Sequence, residues 1–239
     1  MQDVTMTLGG RPIETQTLIK LEAARARYMM SLLMRKLGPQ GMTALFADEI
    51  AAADAEMRHY GKPGGAFVES VVHAQVRQGH AREFIDWFIE GYGGPSAPAM
   101  LRAHPEHLGA IRHSNDRIGI IEVPGHTANP AILYLSVLND WPEVPIALDI
   151  DMPHRIMGRG ETEGGETIAY LLHQFADTNP GFKARLAIYW RQGTPDELVK
   201  GHAEHLAVEF NNWFQMYVLS RSQNVDLMSI ALTCGTQSS

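Results

Sequence analysis

Two stretches of this chain carry the residue types that chemistry needs. The first is Asp149-Ile150-Asp151-Met152-Pro153-His154-Arg155. Ile146, Leu148 and Ile150 alternate with Ala147, Asp149 and Asp151, as a half-buried strand requires, and Met152-Pro153 stops the run. Acids two apart on a strand lie roughly 6.5–7 Å apart on one face. Asp149 and Asp151 can therefore share a divalent cation, with His154 moving a proton and Arg155 holding an anionic substrate group. Oxygen ligands of this kind suit magnesium or manganese in phosphoryl transfer. The simpler account pairs both acids with Lys183 and Arg185 on a neighbouring strand.

The second stretch is Thr194 to Ser220. Thr194-Pro195-Asp196-Glu197 reads as a capping box with proline at the first helical position, which starts a long helix. At about 100° per residue, Leu206, Phe210, Trp213 and Tyr217 form one apolar sector, and His202 and Glu209 fall about 20° apart at its edge. Glu204 points away. A histidine and a carboxylate beside buried aromatics suit a general base and its orienting acid. His202, His205 and Glu209 can alternatively supply metal ligands, and Trp213 an aromatic wall for substrate. A satisfied pair at the core boundary or a dimer contact is the plainer reading.

Other spacings carry less. Glu56-x-x-His59 lacks the second copy a di-iron bundle needs. Glu69 and His73 read as a surface pair, and His104 and His107 as exposed residues of a short polar helix. Arg112, His113, Asn115, Asp116 and Arg117 make a polar corner in which turn capping is the simplest role. There is no Gly-x-Ser-x-Gly elbow, dinucleotide fingerprint or Walker loop.

Composition narrows the field. The 239 residues are 45% hydrophobic and 20% charged, and the net charge of −7 argues against nucleic acid as partner. A lone cysteine, Cys234, excludes a disulfide framework and a thiolate zinc cage. No stretch has the signature of a signal peptide or membrane span, so a cytoplasmic location is expected.

The elements that must position these residues follow from periodicity. An arm or hairpin around Gly9-Gly10 leads into a helix from Glu14 that ends at Gly38-Pro39. A second helix runs from about Gln40 to Tyr60, a third helical region from Phe67 to Gly91 with Gly79 as its candidate break, and a short helix from Pro98 to Ile111. Gly91 to Pro98 is a connector. Strands are expected at Arg117–Val123, Ile132–Leu138, Ile146–Asp151 and Phe182–Trp190, with one more at Asp226–Thr233. A glycine-rich loop, Gly158 to Gly165, precedes a helix whose face is Ile168, Leu171, Leu172 and Phe175.

The expected fold is therefore α+β and a single domain. A helical half, about 14–112, packs on a mixed sheet of four to six strands in the remainder, 113–239, closed by the long C-terminal helix. The functional expectation is an enzyme acting on a small organic molecule by acid–base chemistry, of lyase, isomerase or hydrolase type. It works with no cofactor or with a divalent metal ion, uses no nucleotide cofactor, and is able to form a homo-oligomer. His154, His202, Glu209 and Asp149 would be catalytic, Arg155 and Trp213 would bind substrate, and Asp149 and Asp151 would hold a metal. The competing classes are a non-catalytic ligand-binding or sensory module with an apolar pocket, which twelve methionines would suit, and a metal-dependent phosphoryl-transfer enzyme built on Asp149 and Asp151.

Overall fold

The structure, a computed structural model, describes residues 6–60, 65–93, 97–113, 117–126, 129–142 and 144–223. A small hairpin, β1 (Met6–Leu8) and β2 (Arg11–Ile13), turns through Gly9 and Gly10, both at positive φ. Helix α1 (Thr15–Leu45) follows, and Gly38-Pro39 kinks it rather than ending it, because Gly38 alone leaves the helical region (φ 64°, ψ 176°). Then come α2 (Ala47–Met57), β3 (Phe67–Val76), α3 (Ala81–Gly93), α4 (Ala97–Leu101), β4 (His107–Arg112) and β5 (Arg117–Glu122). A 3₁₀ turn (Pro124–His126) leads to β6 (Ala131–Val137), β7 (His154–Glu161), β8 (Thr167–Asp177), β9 (Phe182–Arg191) and α5 (Asp196–Gln223).

The class is α+β, with helices packed on one large sheet and a long helix closing it. That sheet has seven strands in the order β3-β9-β8-β7-β6-β5-β4 and every pair is antiparallel. It has seven strands rather than four to six and is not mixed: three segments read as helix, in β3, β4 and β8, are strands, and β7 takes in part of an expected loop. Phe67–Val76 is the edge strand β3; its Val68, Val71 and Val72 are stiff at χ1 and favour extended backbone. Ile168–Phe175 lies in β8, where apolar side chains are buried on both faces. A strand covered on both sides loses its alternation, and its apolar residues then fall at helical spacings by coincidence. Gly158 and Gly160, expected in a loop, lie inside β7.

Helical structure after Ala97 lasts only five residues, and the chain re-enters the sheet at His107. Val144 to Asp151 forms no strand. Its backbone groups are met by a side chain instead: the Gln174 amide receives a bond from Asp149 N–H (3.3 Å) and donates to Asp149 O (3.0 Å) and Met152 O (3.3 Å). The strand expected at Asp226–Thr233, and Cys234, lie outside the described residues.

The main core lies between α3, α5 and one face of the sheet, around Phe84, Phe175, Phe182, Leu186, Phe210 and Phe214. A smaller core, Met42, Leu108, Ile121, Ile132 and Tyr134, lies on the other face of the β4–β6 end, under α1 and α2. The end of the sheet formed by β4, β5 and β6 is thus covered on both sides. Among the described residues no helix is long and apolar enough to cross a membrane.

Candidate metal centre

Glu122 ends β5 on the face that Ile118 and Ile120 share, and its register partner on β4 is His107. A bulge between His107 and Gly109 re-aims the start of β4. Immediately after Glu122 the 3₁₀ turn packs its backbone against α5. A Cβ on Gly125 (φ 62°) would lie 2.6 Å from His202 N and Leu198 O, and one on Gly201 would run into the Gly125 carbonyl. Two glycines let the strand end and the helix touch, which places His202, His205 and Glu209 over Glu122 and His107.

Four buried side chains converge there. His107 Nε2 lies 3.3 Å from Glu122 Oε2, 3.5 Å from Glu209 Oε2 and 3.1 Å from His205 Nε2. His205 Nε2 lies 3.9 Å from Glu122 Oε2 and 3.8 Å from Glu209 Oε2. A tetrahedron of ligands at about 2.0–2.2 Å from a metal has edges of about 3.3–3.6 Å. The five separations straddle that range.

The outer hydrogen bonds set the direction of both rings. His107 Nδ1 donates to Leu101 O (3.0 Å) and His205 Nδ1 donates to the Glu106 carboxylate (3.0 Å). Each Nε2 is left facing inward with a lone pair. Two lone pairs 3.1 Å apart, with two carboxylates around them, repel unless a proton or a cation lies between.

The electrostatics say the same. Burial disfavours a charged His205, but the bond to Glu106 and the charges of Glu122, Glu209 and Glu106 override it and raise its pKa to about 9. Burial pushes Glu122 upward, yet the bond to His107 and the neighbouring charge of His205 outweigh it and carry the carboxyl down to about 2. Burial raises Glu209 to about 7 against the pull of His205 and His107, with the charge of Glu122 adding to the rise. The cluster is a place in the interior where positive charge is stabilised.

Of the four side chains, His107, Glu122 and His205 have ligand atoms all within 4.8 Å of one another, and a second such grouping, His104, Glu106 and His205, shares a histidine with it. The second grouping serves as support rather than as a ligand set. His104 Nδ1 already accepts Glu106 N–H (3.1 Å), and its ring stacks on His205 with centroids 3.8 Å apart and planes 20° apart. Lone pairs in the planes of stacked rings run side by side and do not converge. Burial, then the neighbouring His205 and His107, holds His104 neutral by lowering it to about 2.

The residues expected to act together are divided by the fold. His202, Glu209 and Trp213 are buried at the cluster. Glu209 reaches His107 and His205; His202 instead stacks on His205 (5.3 Å, 10°) and meets the edge of Trp190 (5.0 Å). Its Nδ1 is buried without a partner among the described residues. Burial first, then His205, lowers its pKa to about 3. Trp213 donates Nε1–H to Met100 O (3.0 Å) and presents its ring to His107.

Asp149 and Asp151 are exposed, and Asp149 Oδ1 accepts Asp151 N–H (2.9 Å), which closes a turn. Lys183 and Arg185 are not their partners: Arg185 pairs with Glu69 (2.6 Å) and donates to Tyr189 (2.6 Å). His154 pairs with Phe175 at the far end of β7. It lies six residues, roughly 20 Å of strand, from Gly160, the row that runs through Ala169 to Trp190 and so to His202. Arg155 does line the cavity that the cluster opens into. That cavity is about 540 Å³, walled mainly by apolar side chains among them Leu133, Leu135, Phe210 and Trp213.

Four participants, His104, Glu106, His107 and Glu122, were not expected at a site. Pro105 made His104 and His107 look like parts of an exposed helix, whereas both are buried. The available signal was Ile118-Gly119-Ile120-Ile121-Glu122, an apolar strand segment that ends in an acid. No protein-family model and no curated protein sequence matches the chain, so its reading rests on the convergence of His107, Glu122, His205 and Glu209.

Proposed function

We propose that this chain is a metal-dependent enzyme of the cytoplasm that holds one divalent transition-metal ion on His107, Glu122, His205 and Glu209. It acts on a small organic molecule in the adjoining cavity. The observation that carries this reading is the meeting of three buried ligand atoms, from His107, Glu122 and His205, within 4.8 Å of one another, with Glu209 3.5–3.8 Å from both imidazoles and each ring oriented by an outer acceptor. Two imidazoles and two carboxylates suit zinc, iron(II) or manganese, and a divalent ion neutralises both acids. The ion would polarise a substrate carbonyl or lower the pKa of bound water toward neutrality. Hydrolysis, hydration or isomerisation are the reaction classes such a centre serves. His202 lies on the cavity wall one helical turn from His205 and, held neutral by burial, would offer a hydrogen bond to the bound molecule.

Phosphoryl transfer through Asp149 and Asp151 has less support, because those acids are exposed and bonded into a turn. The test is metal analysis by mass spectrometry of the purified protein, followed by calorimetric titration of the chelated protein with zinc, manganese and iron(II). One equivalent should bind, and none in His205→Ala or Glu122→Ala. Absence of micromolar binding of any of the three ions by folded protein would sink the reading.

A further inference from the structure

Apolar side chains left in water are concentrated in one part of the chain. Thirteen large hydrophobic residues are exposed among the described residues, and nine of them lie in β1 and α1. Met42 is the one fully buried residue of α1 among those described. The side of α1 that meets the rest of the chain is the more polar one. Arg27 donates to Ala103 O (3.3 Å), and the half-buried Ser31 and Met34 fall on the same side at the helical repeat. A surface helix of a monomer has the reverse arrangement, and exposed apolar surface gathered on one face marks an interaction site.

The spacing says what sort of partner fits. Ile19, Ala23, Ala26, Met30, Leu33 and Leu37 follow one another at alternating intervals of four and three, which is the seam of a left-handed pair of helices. All are exposed except Met30, which is half-buried against the smaller core. The seam is about 27 Å long and ends where the helix kinks at Gly38. Laid antiparallel on a copy of itself, it sets Ile19 on Leu37, Ala23 on Leu33 and Ala26 on Met30, so each small residue meets a large one. Parallel pairing would stack alanine on alanine and leave gaps. Glu22, Met29 and Lys36, all exposed, line the flank of the seam that faces away from the domain. The same antiparallel register brings Glu22 of one copy beside Lys36 of the other, twice by symmetry, with Met29 meeting its own counterpart on the axis.

We infer that the outer face of α1 binds a second copy of this chain, with the two α1 helices antiparallel along Ile19–Leu37. The contact is isologous and therefore closes as a dimer. It lies on the opposite side of α1 from the contact with Ala103, so both are made at once.

Sedimentation velocity of the purified chain at micromolar concentration tests it. The wild type should be a dimer, and Leu33→Glu with Leu37→Glu a monomer that still unfolds cooperatively on heating. Glu22→Lys and Lys36→Glu should each raise the dimer dissociation constant about tenfold, because two attractive pairs become repulsive. Both exchanges in one chain should restore it, and so should equimolar mixing of the two single variants. These exchanges touch exposed side chains alone and stay informative should the double leucine variant fail to fold. A monomeric wild type would overturn the inference, and a monomer that binds phosphatidylcholine vesicles would give the face to a membrane instead. A dimer indifferent to the leucine substitutions would put the interface elsewhere. Charge exchanges that do not compensate one another would rule out the antiparallel register.

Discussion

The chain contains two groups of acids and histidines, and they differ in everything except residue type. At Asp149–Arg155 the carboxylates are exposed, one of them accepts a backbone N–H two residues on, and His154 points into a different part of the sheet. At His107, Glu122, His205 and Glu209 the same kinds of groups are buried and aimed at one another from three elements. Water satisfies the first group; nothing but a proton or a cation satisfies the second. The lesson is that burial and convergence, rather than the presence of acids beside a histidine, make a place for chemistry.

The comparison breaks most visibly if His205 is removed. His205→Ala should lower metal affinity by at least about a hundredfold, because it deletes a ligand and the link to Glu106 together; equilibrium dialysis against zinc measures this. Asp149→Asn with Asp151→Asn should leave zinc stoichiometry unchanged. Equal losses in both variants would erase the distinction between the two regions.

The next effect concerns how the cluster is supported. Glu106→Gln keeps an acceptor for His205 Nδ1–H but removes its charge, and should weaken zinc by about 10–100-fold. The same dialysis measures it, and an unchanged constant would make Glu106 a bystander.

The packing that delivers α5 is tested by Gly201→Ala. The added methyl meets the Gly125 carbonyl, so the helix and the strand end must separate. Overpacking of this kind costs about 1–3 kcal/mol, or about 2–4 °C of melting temperature per kcal/mol for a chain of this size. Scanning calorimetry should show that loss, with weaker zinc binding alongside it.

The smallest effect is a pH dependence. Burial lowers His173 to about 3, and its Nδ1 accepts Ala187 N–H (3.2 Å). The unfolded chain protonates this histidine below about 6.5, so between roughly 3 and 6.5 it binds more protons than the folded one. Stability from keeping His173 neutral is therefore complete above about 6.5 and is lost as pH falls. Urea midpoints of the metal-free protein at pH 7.5 and 5 should fall further in the wild type than in His173→Gln. Equal falls would show that His173 does not carry the effect.

Much of this could be read before any coordinates. The hairpin turn at Gly9-Gly10, strands β5, β6 and β9, and helix α5 follow from a glycine pair, from short apolar or alternating runs and from the proline at the start of that helix, all local rules. The angular position of His202 and Glu209 at the edge of the apolar sector follows from the helical repeat. β3 and β8 did not follow, because one is dense in apolar residues and the other is buried on both faces. In such strands periodicity no longer separates strand from helix. The stretch from Ile146 to Asp151 alternates like a strand, yet the Gln174 amide takes the backbone bonds of Asp149.

What the sequence by itself determined, then, is one half of the cluster: a histidine and a glutamate presented by α5 toward the interior. Only the tertiary structure decided what they meet. His107 and Glu122 become partners through antiparallel register across fifteen positions of chain, and reach α5 because Gly125 and Gly201 permit backbone contact. Register and close approach are relations between distant segments, and no local spacing encodes them.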